Sequence, residues 1–255
     1  MKVFSEIEVY EIIKSYKDGS KILDISKKFK TRPEKISKLL KDNGISVSSK
    51  NCYRVNYSLN HDYFEKVDTE EKAYFLGFLF ADGGVAENSN TISLNINDIE
   101  ILNKFSKEIE LTKDFYKNPS HSKATTIYFS SFKMKNDLIK LGCTPRKSLT
   151  LKFPSLDLVP EYLIRHFIRG YFDGDGHIYV KKNIYQLGIM SSEYFCSELK
   201  LFFQKMGFIF YWDTVSSKAF RIRCCSKQQI INLRDYLYND ARIFLHRKYN
   251  KIKEI

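Results

Sequence analysis

The sequence predicts an α+β fold built from two pseudo-symmetric αββαββα repeats, preceded by a small all-α unit. Three observations predict it. An apolar helix with a mid-helix glycine and an Asp-Gly end occurs twice, at residues 71–83 and 163–176. After each copy, alternating strand-like runs and amphipathic helical runs recur in the same order. Ahead of both, residues 5–45 carry three short apolar faces at helical spacing.

The N-terminal unit, residues 1–50, comes first. Val9, Ile12, Ile13 and Tyr16 repeat at helical spacing, and Asp18-Gly19 stops that helix. Ser20 is the expected cap of a second helix running through Phe29, with Ile22, Ile25 and Phe29 on one face. Thr31 is the expected cap of a third, with Glu34 completing a capping box, and Ile36, Leu39 and Leu40 facing inward. Three short helices with a tight turn between the last two resemble a helix-turn-helix module. Its third helix would present Arg32, Lys35, Lys38 and Lys41 to DNA. The competing reading is a solvated helical face on a small packing unit.

Residues 51–69 read as a polar linker and lead-in, with Tyr63, Phe64 and Val67 available to pack onto the main domain. The first repeat, residues 70–152, then offers strands at 91–96, 115–117 and 125–129 and helices at 99–110 and 134–141. The second repeat, residues 153–255, offers strands at 178–180, 184–190, 208–212 and 219–224 and helices at 193–206 and 227–238. Alternation along these strands predicts sheets with one covered and one free face.

The duplicated helix carries the chemistry. Aligned on Gly77 with Gly170, Asp82 falls on Asp175 and Gly83 on Gly176, a constant offset of 93 residues. A mid-helix glycine costs about 1 kcal/mol against alanine, so Gly77 and Gly170 predict a place where two backbones meet. Gly83 and Gly176 are expected to stop their helices in the left-handed conformation. An aspartate at a helix C-terminus opposes the macrodipole. Two of them side by side call for a positive partner, and a divalent cation with oxygen ligands suits best.

Phe75-Leu-Gly-Phe-Leu-Phe-Ala-Asp-Gly83 and Ile168-Arg-Gly-Tyr-Phe-Asp-Gly-Asp-Gly176 resemble the two signature motifs of monomeric LAGLIDADG homing endonucleases. The first copy departs from the pattern at its sixth position, where Phe80 stands in place of an acid. A second landmark is repeated as well: Arg146-Lys147 and Arg247-Lys248 come after the last helix of each copy. Lys147 lies 65 residues after Asp82 and Lys248 lies 73 after Asp175. The likeness covers roughly residues 60–250. It implies a saddle whose free sheet faces lie in the major groove, with cleavage across a minor groove leaving short 3′ overhangs. It also implies Mg²⁺, or another divalent ion such as Mn²⁺, held by Asp82, Asp175 and the backbone carbonyls of Ala81 and Gly174. Lys147 and Lys248 would stand near the scissile phosphates; as alternatives they are phosphate anchors or surface lysines.

A formal net charge of +12 and a pI near 9.3 favour a polyanionic partner. A membrane surface is the rival, but the basic residues are spread along the chain and no apolar run approaches the ~18 residues a spanning helix needs. The five cysteines, at 52, 143, 196, 224 and 225, show no Cys-x-x-Cys spacing and read as reduced, in an intracellular, cytoplasmic protein. The histidines at 61, 121, 166, 177 and 246 have no metal-ligand spacing, although His177 lies close enough to Asp175 to touch DNA. No phosphate-binding loop signals a nucleoside triphosphate, and protein splicing is not expected, since the N-terminus offers no Cys or Ser nucleophile. The sequence thus points to a monomeric, metal-dependent endonuclease cutting double-stranded DNA at a long asymmetric site, of the kind carried by introns or phage mobile elements. A scaffold that binds DNA as a regulator, or intron RNA as a maturase, without cutting is the alternative.

Overall fold

A computed structural model describes residues 4–45, 47, 57–117, 125–216 and 219–255. His121 and residues 51–56 of the linker, Cys52 among them, lie outside the described residues. Three helices come first: α1 (Glu6–Lys17), α2 (Ile22–Lys28) and α3 (Pro33–Asp42). Ile12, Ile25, Phe29, Ile36 and Leu40 form a hydrophobic cluster separate from the main core. Ser5 caps α1 through a reciprocal pair with Glu8, at 3.2 and 3.0 Å.

The other two caps differ from the expectation. Lys21 rather than Ser20 is the residue before α2, and Arg32 rather than Thr31 precedes α3, neither with a side-chain cap bond. Pro33 decides the second case. A proline has no N–H to satisfy and fits best at the first helical position, which moves the cap to Arg32 and places Glu34 one residue short of a capping box.

The main body repeats one plan. Helix α4 (Glu70–Asp82) leads into β1 (Gly83–Val85), β2 (Thr91–Ile96), α5 (Ile99–Glu108), β3 (Tyr116–Lys117), β4 (Thr125–Ser130) and α6 (Phe132–Lys140). Helix α7 (Glu161–Asp175) leads into β5 (His177–Lys181), β6 (Ile184–Ser191), α8 (Glu193–Lys205), β7 (Tyr211–Ser216), β8 (Ala219–Cys224) and α9 (Lys227–Tyr238). A last helix, α10, spans His246–Lys253. The sheets are antiparallel and ordered alike, β1-β2-β4-β3 and β5-β6-β8-β7.

Buried Ile92, Leu94, Ile127 and Phe129 in one sheet, and Leu187, Ile189, Ile222 and Cys224 in the other, alternate with residues on the opposite face. One hydrophobic core runs through both repeats, with α4 and α7 at its centre. Tyr63, Phe64 and Val67 are buried in it. Cys143, Cys196 and Cys224 are also buried.

Three elements depart from the sequence pattern. Strand β1 is only three residues long and too short to show a period. Strand β7 begins at Tyr211 rather than 208. Phe208 and Phe210 pack against Phe203 with ring centroids at 5.9 and 4.6 Å, so this apolar run covers α8 before the ladder starts. Helix α10, only eight residues long and with Tyr249 and Ile252 as its large apolar residues, is not among the helices the sequence pattern predicts. Among the described residues no helix is long and apolar enough to cross a membrane.

Candidate active site at the crossing of the two central helices

Helices α4 and α7 meet backbone to backbone. A Cβ built on Gly77 would run into the Phe167 carbonyl oxygen and lie 2.9 Å from Tyr171 N. One built on Gly170 would run into the Tyr74 carbonyl oxygen and lie 3.1 Å from Phe78 N. Phe167 and Tyr74 each stand three residues before the glycine of their own helix, so the contact reads the same from both sides. Only glycine permits this approach.

The C-terminal ends of the helices are therefore brought side by side. A Cβ on Gly174 would come 2.9 Å from Asp82 Oδ2, which puts the Asp82 carboxylate against the last turn of α7, one residue from Asp175. Gly83 and Gly176 do not take the left-handed conformation that a helix-stopping glycine often adopts. Their φ values are −81° and −66°, with extended ψ, because each chain passes straight into a strand. Space is what requires glycine there: a Cβ on Gly83 would lie 2.7 Å from Leu79 Cα, and one on Gly176 would meet the Phe172 ring.

The crowded carboxylates are electrostatically uncomfortable. Desolvation, followed by the charge of Asp175, pushes the Asp82 pKa up to about 6, against the pull of Lys248, Lys147 and Arg247. Desolvation likewise raises Asp175, against Lys147 and Lys248, although the residue as a whole reaches the surface. Both lysines are buried, each 8% exposed, which rules out the surface-lysine alternative.

Lys147, in a single 3-10 turn (Lys147–Leu149), donates to the Gly83 carbonyl at 2.5 Å. Lys248, on α10, donates to the Gly176 carbonyl and, at 3.1 Å, to that of Phe172. Each lysine thus grips the carbonyl of the glycine next after its aspartate. Burial pulls Lys248 down to about 8.

The donor set can be tested for a cation. Two carboxylates lie among the last-turn carbonyls of two helices, including those of Ala81 and Gly174, which lack intrahelical donors. Among the described residues no group of three or more His, Cys, Asp or Glu could hold a metal. The set is therefore no closed protein cage. It fits a hard divalent ion that takes one or two carboxylates and shares its remaining positions with water and substrate oxygens.

No family model matches the chain. A probable translation initiation factor IF-2 of Methanocaldococcus jannaschii is 28% identical over 162 residues, covering 61% of this chain but 13% of that protein. The replication factor C small subunit of the same organism is 30% identical over 115 residues, 43% of this chain and 6% of that protein. The chain spans only a small part of either relative, so their named activities do not transfer to it. Among solved structures, meganuclease I-SmaMI bound to uncleaveable DNA superposes with a TM-score of 0.50 at 11% identity, over 71% of this chain and 88% of that one. The I-LtrWI LAGLIDADG homing endonuclease bound to target DNA gives 0.47 at 14% identity, over 76% and 90%. The chain has the LAGLIDADG homing-endonuclease fold.

Within that fold the sixth motif position, acidic in only one copy, has a structural use. Asp173 is fully buried and accepts from Tyr74 Oη at 2.9 Å, Tyr238 Oη at 2.6 Å and Leu245 N at 2.7 Å. In the first LAGLIDADG copy the matching residues are Phe80 and, opposite it, Phe167, whose rings meet edge to face at 5.0 Å. A polar pair on one side of the crossing is replaced by an aromatic pair on the other, so Phe80 leaves no acceptor unsatisfied.

A further polar group escaped the sequence reading. Arg169, with no exposed surface, donates to Glu70 at 2.7 Å, to the Leu237 and Ile243 carbonyls at 2.8 and 2.9 Å, and lies 2.8 Å from His166 Nδ1. It ties the start of α4 to α7, to the end of α9 and to the segment after it, which carries the chain towards Lys248. The only sequence signal was an arginine inside the apolar run from Phe167 to Phe172.

Asp82, Asp175, Lys147 and Lys248 therefore share one site. Arg32, Lys35, Lys38 and Lys41 lie apart from it on the N-terminal helices, with Lys35 half-buried and its ammonium 5.4 Å from the Phe4 ring centroid. His177 opens β5 and lies 3.2 Å from the Gln186 side-chain nitrogen. A crevice of about 470 Å³, lined by Lys17, Asp18, Phe64, Glu65, Lys133 and Asp137 among others, lies where the end of α1 approaches the first repeat and includes neither Asp82 nor Asp175.

Proposed function

We propose that this protein is a site-specific DNA endonuclease that makes double-strand breaks with the help of a divalent cation such as Mg²⁺. The observation that carries the reading is the duplicated Asp-Gly helix end with its buried lysine, twice on one chain and drawn together at one crossing. Two equivalent half-sites on a single polypeptide suit one monomer acting on both strands of an asymmetric duplex, with a sheet on each half of the target.

Asp82 and Asp175 would hold the cation, with the carbonyls of Ala81 and Gly174. When bound, such an ion supplies charge neutralisation on the phosphoryl oxygens and an acidified water. Lys147 and Lys248 keep the helix-to-strand junctions at Gly83 and Gly176 in place and present fixed positive charge beside the aspartates. In a partly desolvated site that charge counts most as negative charge builds on phosphorus. The net charge of +12 provides affinity for phosphates without regard to sequence. The basic third helix of residues 1–50 would add contacts beyond the central site.

The test is a pool of randomised duplexes carried through rounds of cleavage in Mg²⁺, with Asp82→Asn and Asp175→Asn beside the wild type. Wild type should yield double-strand breaks at a defined sequence. Each variant should bind that sequence about as well and fail to break both strands. Full cutting by either variant overturns the assignment. Binding without cutting by the wild type would favour a regulator or an RNA-binding maturase instead.

A further inference from the structure

The two free sheet faces are not chemically alike. Register makes the comparison exact in position: Gly84 pairs with Ser93 and Ser93 with Tyr128, while His177 pairs with Gly188 and Gly188 with Arg223. Tyr128 therefore occupies in the first sheet the place of Arg223 in the second. By the same reckoning Thr126 matches Arg221, and Tyr116 matches Asp213.

In the first sheet, Tyr116 and Tyr128 meet as an edge-packed pair at 6.0 Å. In the second, Asp213 Oδ2 accepts from Arg221 Nη2 at 2.8 Å and Nε at 3.1 Å, and from Arg223 Nε at 2.7 Å. Ile222 between the arginines is buried, so both guanidiniums lie on the free face, each side chain about a third exposed.

Resting on the proposed DNA binding, we infer that Asp213 is a specificity-determining positioning residue that holds Arg221 and Arg223 for guanine in one half of the target. Three features support this. A single carboxylate oxygen takes Nε of both arginines and Nη2 of Arg221, which fixes their planes; Arg223 Nη1 is held further by Cys225 Sγ at 3.2 Å, and Arg221 keeps its outer Nη edge. That edge matches the O6 and N7 acceptors of guanine, the pairing arginine makes best in the major groove. And a carboxylate on a DNA-binding surface lowers affinity for any DNA, a cost that the ordering of two arginines offsets. The half under the first sheet, with tyrosine and threonine in the matching places, has no guanidinium reader there.

The experiment is binding and sequencing of randomised duplexes with the full chain in EDTA, where binding is read without cutting. Wild type should enrich sites with guanine fixed at positions in one half only, under the second repeat. Arg221→Lys and Arg223→Lys keep the charge but lose the planar fork, and each should reduce guanine preference on the order of tenfold or more at its own position. Asp213→Asn should blunt guanine preference at both positions while raising affinity for unrelated duplexes. A purely structural role for Asp213 would lower all binding together.

If wild type enriches a defined site with no fixed guanine under the second sheet, or if Asp213→Asn leaves guanine preference intact, the inference is overturned while the DNA reading stands. If wild type enriches no duplex at all, the DNA reading itself falls. Melting curves for each variant identify any that fail to fold. Should Asp213→Asn be one of them, the two lysine variants decide on their own.

Discussion

Replacing Gly170 by alanine should force the two central helices apart. The added methyl would run into the Tyr74 carbonyl oxygen, 2.8 Å from Tyr74 C and 3.1 Å from Phe78 N. Carbon contacts are comfortable at about 3.5–4.0 Å, so a separation on the order of 1 Å is needed. All the blocking atoms are backbone, which cannot rotate aside. Overpacking in cores costs about 1–3 kcal/mol, and this site should lie at or above the upper end. The helix-propensity gain of alanine over glycine, about 1 kcal/mol, offsets only part of that.

Gly77→Ala meets the Phe167 backbone in the same way and should cost a similar amount. The decisive measurement is the double variant in urea unfolding. Both methyls sit at one crossing, so the separation forced by the first accommodates the second, and the double variant should lose clearly less than the sum of the singles. Cleavage should fall along with stability, because the crossing sets the spacing of Asp82 and Asp175. A Gly170→Ala protein more stable than wild type, or strict additivity of the two changes, would refute the backbone contact.

Three further outcomes are expected. Lys147→Ala should slow cleavage about a hundredfold with little change in DNA affinity; unchanged turnover with weaker binding would reduce Lys147 to a phosphate anchor. Burial, then the Arg169 charge, pulls His166 down to about 4 from an ordinary 6.5. The folded state thus binds fewer protons than the unfolded chain between those values, and stability falls as pH drops through that window, by up to about 3 kcal/mol. His166→Gln should flatten that part of the stability curve, and an unaltered slope would show that His166 is not held neutral. Removal of residues 1–55 should leave a protein that folds and cuts, with weaker binding and a shorter nuclease footprint; an unchanged footprint on a destabilised protein would make these helices a buttress instead.

The sequence by itself determined the repeat and most of its elements. Gly77 and Gly170, and Asp82 and Asp175, are legible because duplication turns weak local signals into pairs with one offset of 93, and Lys147 and Lys248 because an Arg-Lys pair recurs after the last helix of each copy. Strands such as β4 and helices such as α9 are legible because one face of each is buried, and burial imposes a period. Only the tertiary structure decided what lies across the fold. That Gly83 and Gly176 are small for lack of space rather than for backbone conformation depends on the turn beneath them. That Asp173 serves two tyrosines and a backbone N–H while Phe80 meets Phe167 depends on which helix faces which. The Glu70–Arg169 pair is 99 residues apart in the chain, and Asp213 finds its arginines only through strand register. Local sequence carries periodicity and caps, but the partner of a buried charge is chosen by contacts that form only when the two repeats close on each other.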